Sequence, residues 1–173
     1  MTRRPPRSTP SNSSAASDVY KRQVKYKYAY GRIAESLKYI SEEMKEFEQD
    51  YISKTWKEYK ADKKLQKLMD RTVENILTAL IEISGTILIK EGIAAKSYIE
   101  VLKEISKLFI FSEAKQEGFA KLAIQRNRLA HRYLNLRWEA IEEYIKQREM
   151  IHKILAAIME KEINQEGEGD SFG

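Results

Sequence analysis

Beyond residue 10 the chain contains no proline, and its apolar side chains recur at spacings of three and four residues. Proline disrupts the interior of a helix, and this spacing places apolar side chains along one helical face. From Tyr30 to Ile163 we find no strand-like alternation and no internal repeat. The pattern predicts an all-α fold, most economically an antiparallel bundle of four to five helices.

The first two predicted helices each carry a continuous apolar stripe. In the first helix the stripe consists of Ile33, Leu37, Ile40, Met44, Phe47 and Tyr51. In the second it consists of Leu65, Met69, Val73, Ile76, Leu80, Ile83 and Ile87. Asp62 has the side chain of a helix N-cap and Gly92 suits the C′ position, so we expect the second helix between them. The polar stretch 54–64 is predicted to be an extension of the first helix or a connection.

Capping residues mark the third and fourth predicted helices. Ser97 and Glu100 have the spacing of a capping box, and we expect the third helix to run to about Leu108. Ser112 is predicted to cap a fourth helix that ends close to Tyr133.

The fifth predicted helix is capped by Asn135. Its candidate core residues are Trp138, Ile141, Ile145, Ile151, Leu155, Ile158 and Met159. The last residues, 165–173, are acidic and rich in glycine, so we expect a disordered tail.

Residues 1–23 differ from the rest in composition. The run 13–23 resembles the in-frame translation of a transposase sequencing adapter, and 3–9 resembles the flow-cell primer that precedes it. We therefore expect an artefactual or disordered segment 1–23, a helical domain 24–164 and the tail 165–173. The segment holds five basic and one acidic residue, which leaves 26 basic and 25 acidic residues in the remaining 150. The net charge thus falls from +5 to +1, and overall basicity no longer argues for nucleic-acid binding.

Several classes of protein are excluded or disfavoured. The chain has no cysteine, which excludes disulfides, thiol catalysis and cysteine metal sites. We find no apolar run of membrane-spanning length, so we expect no membrane association and a cytoplasmic location. There is no glycine-rich phosphate loop, no paired-carboxylate site and no histidine cluster, so we predict no metal and no cofactor.

The octet 126–133, with the sequence RNRLAHRY, concentrates most of the chemically useful side chains. A titratable imidazole between fixed positive charges suits a phosphodiester, because arginine holds the oxygens while histidine moves a proton. The competing interpretation is a charged helix end, in which Arg128 and Arg132 interact with the helix dipole and neighbouring acids, and His131 only caps the helix.

If the whole octet were one helix, Arg126 and Tyr133 would lie on one face, about 20° apart. His131 would then lie roughly 140° from Arg126 around the axis. One helix therefore does not aim these groups at a single atom, whereas a groove between two copies can. The spacing predicts a composite site at the interface of a homodimer.

The octet resembles the signature of HepT-like toxins in the HEPN ribonuclease superfamily, and the resemblance extends over residues 30–160. It includes the run Tyr98–Leu102, the helix leading into Arg126 and the acidic amphipathic closing helix. The resemblance implies a metal-independent endoribonuclease that leaves a 2′,3′-cyclic phosphate. By this resemblance, Arg126 contacts the scissile phosphate and the supporting residue Asn127 orients Arg126. By the same resemblance, His131 is the general acid or base.

The resemblance also implies partners. Tyr133 matches the residue to which a partner nucleotidyltransferase adds AMP, so the expected partners are RNA, a second copy and a minimal nucleotidyltransferase antitoxin. One alternative is a non-catalytic HEPN subunit that binds substrate for a nucleotidyltransferase. Another is a helical interaction module without catalysis.

Three other features are weaker candidates. His152 has no arranged partner in the sequence, and a solvated or capping residue is the favoured interpretation. The lysines of 54–64, interleaved with Trp56 and Tyr59, favour a solvated helix face over an RNA-steering surface. The alternating lysines and tyrosines of 25–30 follow directly on the segment 1–23, and a truncated native segment is favoured over an RNA contact by stacking and charge.

Overall fold

The computed structural model describes residues 32–109 and 111–169, and these form an all-helical bundle with no strand among them. The helices in chain order are α1 (Ile33–Asp50), α2 (Trp56–Ala61), α3 (Lys63–Lys90), α4 (Tyr98–Leu108), α5 (Glu113–Ala120), α6 (Leu122–Leu129) and α7 (Leu134–Gly169). The predicted all-α fold is confirmed. The expectations for residues 1–23, for the lysines and tyrosines of 25–30 and for the tail residues 170–173 lie outside the described residues.

Helix α1 buries the stripe that its spacing predicted. All six stripe residues, from Ile33 to Tyr51, lie in the core. They pack mainly against α3, and α7 closes the core on another side. Burial of these side chains, at about 1.5–3 kcal/mol each, is the main force that holds α1 in place.

The polar stretch after α1 forms a separate short helix, α2, rather than an extension or a bare connection. Thr55 and Glu58 make a complete capping box, in which each side chain accepts from the other's backbone N–H. The side chain of Tyr59 is fully buried, whereas Lys57, Lys60 and their neighbours along the run are mostly exposed. The exposed lysines agree with both a solvated face and an RNA-steering surface, whereas the burial of Tyr59 agrees with neither.

Helix α3 is the central helix of the bundle and packs on α1, α4, α6 and α7. Asp62 caps it by accepting from two backbone N–H groups, and Gly92 follows its end with a φ of 69°. Both predictions are confirmed. Beyond the predicted stripe it also buries Leu77, Ile81 and Leu88, because it has neighbours on several sides.

By length and composition alone α3 could cross a membrane, so the prediction that no such apolar run exists is wrong. In the bundle, 56% of its apolar window is buried against other helices. Central core helices of globular bundles pass the same compositional test, because a helix that is apolar on several sides is buried by protein or by lipid.

Helix α4 begins and ends where the sequence predicted. The Ser97 hydroxyl accepts from the Glu100 N–H, but the Glu100 carboxylate accepts from the N–H of Lys96. The reciprocal bond of a capping box is therefore shifted by one residue, and α4 ends at Leu108 as expected.

The predicted fourth helix is two helices, α5 and α6, separated at Lys121. Ser112 occupies the N-cap position of α5, without a hydrogen bond from its side chain. Buried residues lie on both sides of the break, namely Phe119, Ala120, Leu122 and Ala123. Both pairs lie in the core, so the interruption at Lys121 leaves their burial intact.

Helix α7 begins at Leu134, so Asn135 lies in its first turn and is not its cap. Tyr133 is the residue at the N-cap position, since its carbonyl accepts from the Arg137 N–H. Most of the predicted core residues are buried or partly buried, but Met159 is 49% exposed. The helix continues to Gly169, so residues 165–169 are helical rather than disordered; Lys90 reaches Glu162 and Gln165 and ties this end to α3.

Candidate active site

Arg126 is held in a defined position on α6. Its Nε donates to the Thr78 hydroxyl of α3 at 2.8 Å, and its guanidinium lies over the Tyr98 ring at 5.6 Å. Among the described residues the two terminal nitrogens of Arg126 make no hydrogen bond. The side chain is thus oriented at one end and leaves two donors available for a phosphate.

Those donors border an open groove of about 350 Å³ between α1, α3 and α6. We call it the Arg126 groove, and its lining residues are Tyr39, Arg71, Glu74, Asn75, Thr78, Ala79, Glu82 and Arg126.

The second half of the octet is not helical. Helix α6 ends at Leu129, and the N–H groups of Ala130 and His131 bond three residues back, to Asn127 and Arg128. Residues 130–133, which we call the octet turn, then lead into α7. The expectation that the fourth helix extends close to Tyr133 is wrong, and the angular relation to His131 calculated for one helix does not apply.

Within the octet turn His131, Arg132 and Tyr133 are exposed and contact one another. The rings of His131 and Tyr133 lie 4.9 Å apart, and the Arg132 guanidinium lies 5.0 Å from the Tyr133 ring. The Tyr133 hydroxyl accepts from Arg132 at 3.0 Å and is open to solvent, since the residue is 51% exposed. A phenol and an imidazole are therefore presented side by side on the surface.

One ring nitrogen of His131 accepts a hydrogen bond within this turn. Its Nδ1 accepts from the backbone N–H of Tyr133 at 3.3 Å. A nitrogen that accepts carries no proton, so the neutral ring holds its proton on Nε2. The contact is long and exposed, and breaking it costs on the order of 1 kcal/mol or less.

The two polar neighbours that follow Arg126 differ in what they contact. The Asn127 side chain is exposed and makes no hydrogen bond to Arg126, which is oriented by Thr78 and Tyr98 instead. Arg128 forms an ion pair with Glu139 at 3.6 Å, as the helix-end interpretation predicted for it.

A buried polar network supports the octet turn from below. Asp70 of α3 accepts from the Tyr59 hydroxyl at 2.7 Å and from Arg137, in the first turn of α7, at 2.6 Å. Burial raises the pKa of Asp70 and, even more, that of Tyr59. Trp138 packs its ring 5.1 Å from Tyr59. This network fixes the start of α7 against α2 and α3.

Sequence reasoning missed this network. An aspartate one residue beyond the core position Met69 was its only signal, and Asp70 and Arg137 are 67 residues apart. His152 also has an unpredicted partner, because its Nε2 lies 2.8 Å from the Glu48 carboxylate. That pairing joins α7 to α1 and gives His152 a structural role.

The two principal candidates are not joined within one chain. The Arg126 side chain contacts α3 and α4, whereas the His131 ring contacts Tyr133 of its own turn, and no hydrogen bond or ring contact connects the two side chains in the described residues. Residues 32–109 and 111–169 also contain no group of three side chains that could hold a metal.

Comparison with known protein families agrees with the family resemblance of the octet. A family model described as "Ribonuclease HepT-like" matches residues 40–160, which include α3, both halves of the octet and most of α7. No curated protein matches the chain significantly. The matched region covers well over half of the chain, and the chain belongs to the HepT-like ribonuclease family.

Proposed function

We propose that this protein is the toxin of a toxin–antitoxin pair, a homodimeric, metal-independent endoribonuclease acting in the cytoplasm. Family membership supports ribonuclease chemistry. The observation that carries the assignment of residues is Arg126, fixed by Thr78 and Tyr98 with two donors open.

In the proposed reaction the ribose 2′-oxygen attacks the adjacent phosphorus. A P–O bond to the 2′-oxygen forms, the P–O5′ bond breaks, and the products are a 2′,3′-cyclic phosphate and a 5′-hydroxyl. Arg126 donates to the non-bridging oxygens, whose charge increases in the transition state. A guanidinium suits this task because it is always charged and binds two oxygens at once.

His131 is proposed to move the proton. As general base it must offer an unprotonated nitrogen, and Nδ1 becomes available when its contact with the Tyr133 N–H opens. In the opposite role, the protonated ring delivers a proton to the departing 5′-oxygen. Asn127, exposed beside Arg126, is proposed to support the site through RNA or the second copy.

The separation of Arg126 and His131 within one chain supports the homodimer. Both are accessible, and each has its own set of contacts. A two-fold axis that brings the octet turn of one copy to the Arg126 groove of the other would assemble the complete site.

Tyr133 is proposed as the control point. A minimal nucleotidyltransferase antitoxin would transfer AMP from ATP: the phenolic oxygen bonds to the α-phosphorus and pyrophosphate leaves. The acceptor hydroxyl is exposed, and Arg132, which already donates to it, would face the added phosphate. The new negative charge would stand beside His131 and repel the RNA backbone.

The test uses the purified full chain and single-stranded RNA in the presence of EDTA. Wild type should cleave, leaving cyclic phosphate ends, while Arg126→Ala and His131→Ala should be inactive with unchanged circular dichroism. Cleavage that requires added metal, or that survives both substitutions, contradicts the proposal. Tyr133→Phe should cleave RNA but accept no AMP from the nucleotidyltransferase, as mass spectrometry would show.

A second candidate is a non-catalytic subunit that binds substrate for a nucleotidyltransferase. No hydrogen bond or ring contact joins Arg126 and His131 in the described part of the chain, which favours this candidate, because a scaffold needs no assembled active site. Stable binding of a nucleotidyltransferase without cleavage of any RNA would establish this alternative.

A further inference from the structure

We propose that the Arg126 groove is a nucleobase subsite, which binds one of the two nucleotides flanking the scissile phosphate and prefers a base with an exocyclic amino group. This inference rests on the proposed function, since it takes the phosphate held by Arg126 as its reference point.

The groove has the size and the position for this role. At about 350 Å³ it lies within the range of small-ligand sites, roughly 300–1,000 Å³. Arg126 lines one side, so a phosphate on its terminal nitrogens leaves the attached nucleoside beside the groove. Single-stranded RNA offers unpaired bases that can enter such a site.

Tyr39 supplies a stacking surface. The side chain lies on α1, lines the groove and is 42% exposed. Burial and the Glu43 carboxylate raise the pKa of its hydroxyl, while Arg71 opposes them, so both charged groups are close to the ring. Aromatic rings exposed beside a cation are the usual platform for an unpaired base.

The groove carries both cationic donors and acceptors. Its lining includes two arginines, Arg71 and Arg126, and two carboxylates, those of Glu74 and Glu82. Asn75 donates its amide N–H to Glu43 at 3.3 Å, which leaves its amide oxygen without a partner among the described residues. With Arg126 assigned to the phosphate, a base in the groove faces these acceptors and one guanidinium, that of Arg71.

An amino group on the edge of a base matches the acceptors of the groove, and a carbonyl on the same edge can accept from Arg71. Guanine, cytosine and adenine carry amino groups on their pairing edges, whereas uracil presents a single N–H between two carbonyl oxygens. A carboxylate accepts from an amino group, but on uracil it finds only this one N–H, with a carbonyl oxygen on either side. The groove should therefore discriminate against uracil.

The first experiment maps the cleavage sites of the wild-type full chain on a random-sequence single-stranded RNA pool. We expect uridine to be depleted several-fold at one of the two positions flanking the cut. Glu74→Gln and Glu82→Gln replace an acceptor by an amide that also donates, so together they should relax the depletion. Cleavage with no base preference at either position would overturn the inference while leaving the ribonuclease intact.

The second experiment measures stacking. Tyr39→Ala should weaken binding of a labelled tetranucleotide by about tenfold, and Tyr39→Phe, which keeps the ring, should not. The matched control is Leu68→Ala, an exposed apolar residue on α3 outside the groove. Equal binding by all three variants would contradict the subsite, and this holds even if the wild type cleaves no RNA, so the two proposals fail separately.

Discussion

The two halves of the octet differ in how the fold treats them. Arg126, on the last turns of α6, is fixed by groups from two other helices, Thr78 and Tyr98. His131 and Tyr133, in the octet turn, are exposed and contact mainly each other. Catalytic groups need orientation, and their own rotamers must be restrained by packing. One half is oriented by other helices of the chain, whereas the other half is held mainly by contacts within its own turn.

The residues beneath the octet turn fix the position of its backbone but not that of its side chains. The Asp70–Arg137 pair fixes where α7 starts, and so fixes the base of the octet turn without restraining the His131 ring. The fold thus holds the position of the turn but leaves its side chains adjustable. In the proposed site, a fixed turn and adjustable side chains would allow His131 to adapt to the Arg126 groove of a second copy.

The largest expected effects come from replacing the two side chains that are proposed to be catalytic, Arg126 and His131. Arg126→Ala should lower cleavage by about 10²–10³-fold, because it removes the donors to the charged oxygens. His131→Ala should lower it by about 10²–10⁴-fold. Single-turnover cleavage of a short RNA measures both. If Arg126→Lys restored full activity, a simple positive charge would suffice and the importance of orientation would be refuted.

Asp70→Ala should have the next largest effect, on stability. It leaves Arg137 and Tyr59 buried without their partner, at a cost of about 3–5 kcal/mol in the free energy of unfolding. Thermal denaturation should show a fall in Tm of about 10 °C.

The control for Asp70→Ala is Glu42→Ala, which removes an exposed ion pair with Lys38 and should cost less than about 1 kcal/mol. Similar losses for the two variants would mean that the network does not hold the start of α7.

The residues that orient Arg126 should have intermediate effects. Thr78→Val removes the hydroxyl that receives Nε, and Tyr98→Leu removes the ring; each should lower the cleavage rate about ten- to hundredfold with little change in Tm. Tyr98→Phe keeps the ring face and should retain activity. Arg126 would not be fixed by these contacts if Thr78→Val cleaved at the wild-type rate.

Asn127→Ala should have the smallest effect, a loss of a few-fold at most, because Asn127 does not contact Arg126 within the chain. The same cleavage assay measures it. A loss larger than that of Thr78→Val would show that Asn127 is the residue that orients Arg126, which the resemblance to the family implied.

The sequence was sufficient for several features that local chemistry determines. The α1 stripe, the Asp62 cap and the C′ residue Gly92 depend on neighbours within one or two turns, and the structure has each of them. The break at Lys121 and the early end of α6 depend on packing between helices, which periodicity does not encode. The site shows the same division, since octet 126–133 was visible as a motif, whereas Thr78 lies 48 residues from Arg126.

The central claim is that Arg126 of one copy acts with His131 of the other. It is tested by mixing two inactive proteins, Arg126→Ala and His131→Ala, under conditions in which the subunits exchange. Half of the dimers should then contain one chain of each kind, and each such dimer should have one complete site, which restores about one quarter of wild-type cleavage. No recovery after verified exchange would show that each chain uses its own Arg126 and His131, and would contradict the shared site.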